Sequence, residues 1–430
     1  MQLYSTNHQS HKATFKQAMF KGLPNDNGLF MPEVIPQLDS SILSSFHKMS
    51  FSEIANIMAN SLISDEIPGA KLEEIVLNAF DFDVPLTQLD DNVQLLELFH
   101  GPTHAFKDFG ARFMARIMSH FLESENQEVN ILVATSGDTG SAVAQGFVGV
   151  PGINVTLLFP SGKVSELQEK QLTTIGQNIT AIEVSGTFDD CQKMVKQAFL
   201  DEELNNSSHL TSANSINIAR LIPQTFYYMY AWSRIKASGK EVIFSVPSGN
   251  FGNLCGGLIA EKMGMPLNRF IAATNINKIV PEYLDSGLFN PRPSIQTLAN
   301  AMDVGNPSNF PRIEALLGDY DNIRNHLAGA FYNDEQTLEI IAEVYKKFDY
   351  FVCPHTAIGY EALKNHMAQH KDLSGICLGT AHPAKFFDIV NKATGKEVEI
   401  PYRLMEVMGK EKISIPMGNK FDDLKGFLLD

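Results

Sequence analysis

The feature that most constrains this chain is an alternation that begins near residue 93. Short apolar, β-branched runs are each followed by a turn and a helical pattern. Val129–Ala134 leads into a glycine turn and a helical stretch through Val148. Asn154–Phe159 and Ile179–Val184 repeat the scheme, as do Val242–Val246, Phe270–Ala273, Tyr350–Cys353 and Gly375–Leu378. Seven strand-then-helix units predict an α/β protein with mainly parallel sheets. In such sheets ligands sit beyond the carboxyl ends of the strands, where the unusual turns of this sequence fall.

The flanking segments read differently. Residues 1 to about 95 are expected to be mostly helical, with a strong turn at Asn25-Asp26-Asn27-Gly28 and an amphipathic helix over Gly69–Phe80. The stretch from Asp285 through Pro311 has weak periodicity and reads as a long connection or a partner-facing excursion. At 430 residues two or three domains are expected. The balance of 34 basic and 49 acidic residues, −15, argues against nucleic-acid binding and adsorption to anionic membranes. It leaves room for a local basic pocket. Cys191, Cys255, Cys353 and Cys377 are far apart and none sits in a CxxC, so neither a cysteine zinc site nor a disulfide framework is expected. Met1–His11 has no apolar core of a secretory signal, and no apolar run approaches the ~20 residues of a membrane span. A cytoplasmic enzyme is the expectation.

Five turns could carry chemistry. Ser136–Gly140 reads SGDTG and Ser248–Gly252 reads SGNFG, each after a strand and before a helix. Converging backbone N–H groups at a helix start can hold a phosphate or carboxylate, though either turn alone also reads as a plain tight connection. Pro160–Ser165, PSGKVS, fails as a P-loop, because Leu157 stands where the first glycine belongs and Val164 where Ser or Thr belongs. Lys163 still lies near a strand end, where it is either an anion contact or a solvated lysine. Leu378–Pro383, LGTAHP, reads as a loop with a capping threonine. In His100–Gly110, HGPTHAFKDFG, Lys107 is flanked by Phe106 and Phe109. Burial there would favour the neutral amine that Schiff-base chemistry needs.

Taken together, HGPTHAFKDFG, TSGDTG, PSGKVS, SANSIN, SVPSGNFGN and LGTAHPAKF, with GLFMPE at Gly28–Glu33, resemble the threonine synthases of the bacterial and fungal type, in the same order and over nearly the whole chain. That family belongs to the fold-type II pyridoxal-phosphate enzymes. The resemblance implies a mainly helical N-terminal region at 1–95, a smaller α/β subdomain at 96–235 carrying the cofactor lysine, and the rest of a larger α/β subdomain at 236–430, with the cofactor between the two. It implies that Lys107 forms the Schiff base with pyridoxal 5'-phosphate and then transfers protons. Gly249, Asn250, Phe251, Gly252 and Asn253 would cradle the cofactor phosphate. Asp138 would face the cofactor's 3′-oxygen and Thr380 its pyridine nitrogen. Ser136 and Thr139 would help hold the substrate carboxylate, and Lys163, Ser165 and Asn217 would meet the substrate phosphate. Many fold-type II relatives carry Asn in place of Asp138 and Arg in place of Phe109. An ionised Asp138 beside a phenolate oxygen is repulsive unless a proton is shared.

The reaction implied is O-phospho-L-homoserine plus water to L-threonine plus phosphate, with no metal, no nucleic acid and no membrane, by a monomer or small homo-oligomer. Serine and threonine dehydratases are the nearest alternative, set apart by lacking the PSGKVS turn. A non-catalytic binder of a phosphorylated metabolite is the alternative of another class, and it has no need of Lys107.

Overall fold

In the computed structural model, residues 1–123, 128–207, 209–235, 239–370 and 372–429 are described. The strands are β1 (Gln2–Ser5), β2 (Lys12–Thr14), β3 (Phe30–Pro32), β4 (Leu86–Asp90), β5 (Val93–Glu97), β6 (Val129–Ala134), β7 (Ile153–Pro160), β8 (Ile179–Val184), β9 (Leu210–Thr211), β10 (Glu241–Pro247), β11 (Arg269–Thr274), β12 (Leu327–Phe331), β13 (Leu373–Gly379) and β14 (Ile415–Met417). They form a wholly parallel five-stranded sheet, β14-β8-β7-β6-β9, and a six-stranded sheet, β12-β11-β10-β13-β5-β4, parallel except for the β4–β5 hairpin. All seven residues of β13 are buried, which is why such strands read as continuous apolar runs.

Six of the seven expected strands form. Tyr350–Cys353 does not: it is the link between the helices Asp334–Phe348 and Pro354–Met367. Its apolarity goes into packing, with Val352 and Cys353 buried and the Tyr350 hydroxyl donating to Glu97 Oε1 at 2.7 Å. Pro354 then opens the next helix, and a residue before proline stays extended. The edge strand is instead β12, whose sequence LAGAF has no β-branched residue; parallel pairing with β11 makes it a strand.

The boundaries shift too. The N-terminal region holds helices and also an antiparallel sheet, β2-β1-β3, in which GLFMPE supplies β3. The expected boundary at residue 95 falls inside β5, because β4 and β5 complete the larger sheet. At the other end β14 pairs with β8, and Leu424 of helix Phe421–Leu429 is buried in the core of the five-stranded sheet. The boundary expected at 235 adjoins residues outside the described set.

The N-terminal helices support the site from behind. A Ser50/Glu53 capping box starts helix Phe51–Ile63, which buries Ile54, Ala55, Met58 and Leu62 along one face. Phe51 packs edge-on against Phe80 and Phe109. Phe109 is fully buried, a contribution of roughly 1.5–3 kcal/mol. Residues 287–309 contain only the short turn Asn300–Met302. Asp303 anchors that excursion by accepting hydrogen bonds from Asn275, Asn277 and Thr297. Asn300–Val304 line the cavity described below, so the excursion is a wall of the site.

Candidate active site

Three strand ends meet at one cleft. Strand β6 ends at Ala134 and turns into helix Asp138–Phe147; β10 ends at Pro247 and turns into helix Gly252–Lys262; β13 ends at Gly379, just before Thr380. A parallel sheet places such turns side by side. Lys107, Ser136, Asp138, Thr139, Gly249–Asn253 and Thr380 all line the resulting cavity.

Lys107 is the first residue of helix Lys107–Leu122. The preceding loop is tied to the Thr380 turn: Phe106 N donates to Thr380 O at 2.9 Å, and Ala105 bridges Ala381. The Lys107 amine lies over the Phe106 ring, whereas Phe109 points into the core. Only one of the two flanking rings therefore meets the amine. Burial pushes the Lys107 amine below its ordinary value, against the pull of Asp138, whose Oδ2 is 4.0 Å away. A neutral amine is the nucleophilic form.

Asp138 is 4% exposed. Its Oδ1 accepts from Lys385 Nζ at 2.6 Å and from Gln168 Nε2 at 2.9 Å. Burial alone would raise its pKa, but the Lys385 and Lys107 charges and these bonds outweigh it and hold the carboxyl well below the usual range. The repulsion expected of an ionised Asp138 thus has a compensating cation in place.

The turn at Ser248–Gly252 fits a phosphate. A Cβ on Gly249 would stand 2.5 Å from Ala301 O, so only glycine lets the Asn300–Met302 turn close over it. Phe251 takes the left-handed conformation, φ 60°, at the start of helix Gly252–Lys262, and no side chain caps that end. Asn253 Oδ1 accepts from the Tyr227 and Tyr228 hydroxyls, each at 2.7 Å. That leaves its amide nitrogen buried at the cavity with no partner among the described residues. Open helix N–H groups and an orphaned donor suit an anion such as the cofactor phosphate.

At the SGDTG turn, Thr135 Oγ1 accepts from Gly137 N and Gly140 N. Two of its backbone donors are thereby spent, and the Ser136 and Thr139 side chains remain on the cavity wall.

Residues 84–378 match the family model described as pyridoxal-phosphate dependent enzyme, 2–80 that of the threonine synthase N terminus, and 356–428 that of the threonine synthase C-terminal part. The chain is 44% identical to a threonine synthase of Haemophilus influenzae over the full length of both. The chain belongs to the threonine synthase family. The crystal structure of threonine synthase from Escherichia coli superposes with a TM-score of 0.94 at 41% identity, covering 100% of this chain and 99% of that one. A pyridoxal-phosphate-bound threonine synthase from Brucella melitensis gives 0.93 at 33% identity, with the same coverage. As a member of the threonine synthase family, the chain is a pyridoxal-phosphate-dependent enzyme.

Three residues expected at the substrate phosphate are not brought to the threonine synthase cavity. Lys163 is exposed on the loop after β7. Ser165 caps helix Glu166–Thr173 in a box with Gln168. Asn217 caps helix Ile218–Leu221 and donates to Met19 O and Ser212 O. Short polar residues at these places serve the backbone. The PSGKVS turn nevertheless matters, because its cap orients Gln168 toward Asp138.

Sequence reasoning missed Lys385, Gln168, Arg220 and His355. Arg220 is buried and donates to Lys107 O at 3.4 Å and to Ala213 O. His355 Nε2 accepts from Ala301 N at 3.1 Å; burial lowers its pKa to about 4, so it stays neutral and supports the Asn300–Met302 turn. The only signal for Lys385 was its place inside LGTAHPAKF.

Proposed function

We propose that this chain converts O-phospho-L-homoserine and water to L-threonine and phosphate. The observation that carries the reading is the single cleft in which a buried Lys107 amine, an uncapped helix start and a charge-compensated Asp138 converge, in a chain matched end to end by threonine synthases. Those terminal matches favour this reaction over the serine or threonine dehydratase alternative.

When bound, pyridoxal phosphate supplies the electron sink that makes first the Cα and then the Cβ proton of the substrate acidic, so that phosphate can leave from Cγ. The chain does the rest. Lys107 would hold the cofactor and move the protons at Cα and Cβ. Asn253 and the helix start behind Gly252 would hold the cofactor phosphate. Asp138 would lie toward the 3′-oxygen, and Thr380 would serve the pyridine nitrogen. Ser136 and Thr139 would hold the substrate carboxylate. Asn214, Ser215 and Asn250, which line both this cavity and the one adjoining it, would be available to the substrate phosphate. Lys163 and Ser165 would reach it only if their loop moved inward.

The net charge of −15 argues against nucleic-acid and anionic-membrane partners, and the proposal places the chain in the cytoplasm as a monomer or small homo-oligomer acting on a small molecule. Among the described residues no helix is long and apolar enough to cross a membrane, and no His, Cys, Asp and Glu group is arranged to hold a metal. The test is to supply purified protein and pyridoxal phosphate with O-phosphohomoserine and follow phosphate and threonine together. Equimolar release supports the proposal; a keto acid with ammonia in place of threonine would return it to the dehydratases.

A further inference from the structure

The buried lysine at position 385 is a group that the reaction as described does not use. Its side chain is fully buried, and an unpaired ammonium there would be costly. It sits in the short turn Pro383–Phe386 that follows β13, on the larger sheet. Its amine donates to Asp138 Oδ1, on the smaller lobe, at 2.6 Å and to Thr103 O at 3.0 Å. Thr103 in turn binds Asp108, the neighbour of Lys107. One cation therefore joins both lobes and the loop that presents the cofactor lysine.

The carboxylate it meets is asymmetric. Lys385 and Gln168 both occupy Oδ1, and Asn300 Nδ2 braces Gln168 through its Oε1 at 3.1 Å. Oδ2 is left toward Lys107, at 4.0 Å. We infer that Lys385 is a positioning residue: it balances the charge of Asp138 and decides which carboxylate oxygen faces Lys107 and the cofactor. The inference rests on the reading of this cavity as the pyridoxal-phosphate site. The groups that face Asp138 are Lys385, Lys107, Gln168, His355 and Cys353. Burial lowers the His355 pKa and raises that of Cys353, so both stay neutral; burial also lowers that of Lys107, and the balancing charge falls to Lys385, whose amine is 2.6 Å from Oδ1.

The test uses the holoenzyme and the variants K385M, K385Q and K385M/D138N. Methionine keeps the length of the side chain without its charge, and glutamine keeps a donor for Oδ1. In K385M and K385Q the pH midpoint of the visible absorption of the bound cofactor should rise by at least about one unit, because losing a buried cation favours protonation beside it. K385M should melt lower than the parent at pH 8, and K385M/D138N should recover most of that loss, because no buried carboxylate is left unpaired. K385Q keeps the idea testable if K385M does not fold. An unmoved absorption midpoint, or a double variant that melts no higher than K385M, overturns it. If the parent itself shows no visible cofactor band, the cofactor reading has failed, while the melting comparison still decides whether Lys385 balances Asp138.

Discussion

The Asp108 carboxylate accepts two hydrogen bonds from Thr103, from N at 2.9 Å and from Oγ1 at 2.7 Å. This closes the loop ahead of Lys107, and both residues are buried. Burial raises the Asp108 pKa, and the Thr103 bonds oppose that rise. A raised folded value means that stability is lost as pH climbs from the unfolded carboxyl range through the folded one. Thr103→Val removes one of the opposing bonds. Its melting temperature should fall by the equivalent of about 1–3 kcal/mol at pH 8 and by less at pH 5, where more of the carboxyl is protonated. Thermal unfolding of the variant at the two pH values checks this; an equal deficit at both would mean that the hydroxyl acts only through packing.

Lys107→Ala should lose turnover and covalent retention of the cofactor. The position of this amine at a helix start, over Phe106 and 4.0 Å from Asp138, is shared by no other lysine lining the cavity. Borohydride treatment followed by dialysis should fix the chromophore to the parent protein and leave the variant colourless. A variant that still fixes colour places the covalent link elsewhere.

Asn253→Asp isolates the orphaned amide. The aspartate can still accept from Tyr227 and Tyr228, but it sets an acceptor where the nitrogen stood. A hydrogen bond to a charged group is worth about 1.5–3 kcal/mol, so cofactor affinity should drop by at least about tenfold. Equilibrium titration of the cofactor-free variant measures this, and unchanged affinity would put the phosphate elsewhere in the cleft.

Lys163→Ala should leave kcat/KM for phosphohomoserine within about twofold, because a solvated charge that touches neither cofactor nor substrate adds nothing to transition-state binding. The residue is exposed and outside the cavity. Steady-state kinetics decide; a fall of about tenfold or more would show that its loop closes on the substrate phosphate.

Ser165 and Asn217 show how a capping residue resembles a ligand contact in sequence. Both belong to segments that resemble the family, and both accept from a helix-start N–H, while the Asn217 amide nitrogen donates to Met19 O and Ser212 O. Polar residues after a strand look alike in sequence whether they cap a helix or meet a ligand.

What the sequence by itself determined are the features with short-range causes. Strands buried on both faces must be continuous apolar runs, so β6, β7, β8, β10, β11 and β13 were legible within a few residues. The turns Ser136–Gly140 and Ser248–Gly252, and the lysine of AFKDFG, were legible for the same reason: backbone approach and helix starts require particular residues locally. Tertiary structure decided the rest. LAGAF became β12 because β11 offered it an edge, and the more apolar Tyr350–Cys353 did not, because it leads into Pro354. Lys385 was illegible because a lysine is exposed by default, and only the meeting of the two lobes brings Asp138 to its amine. A buried charge has to be paired, and its partner is chosen by the way the chain folds back on itself and not by its neighbours in sequence.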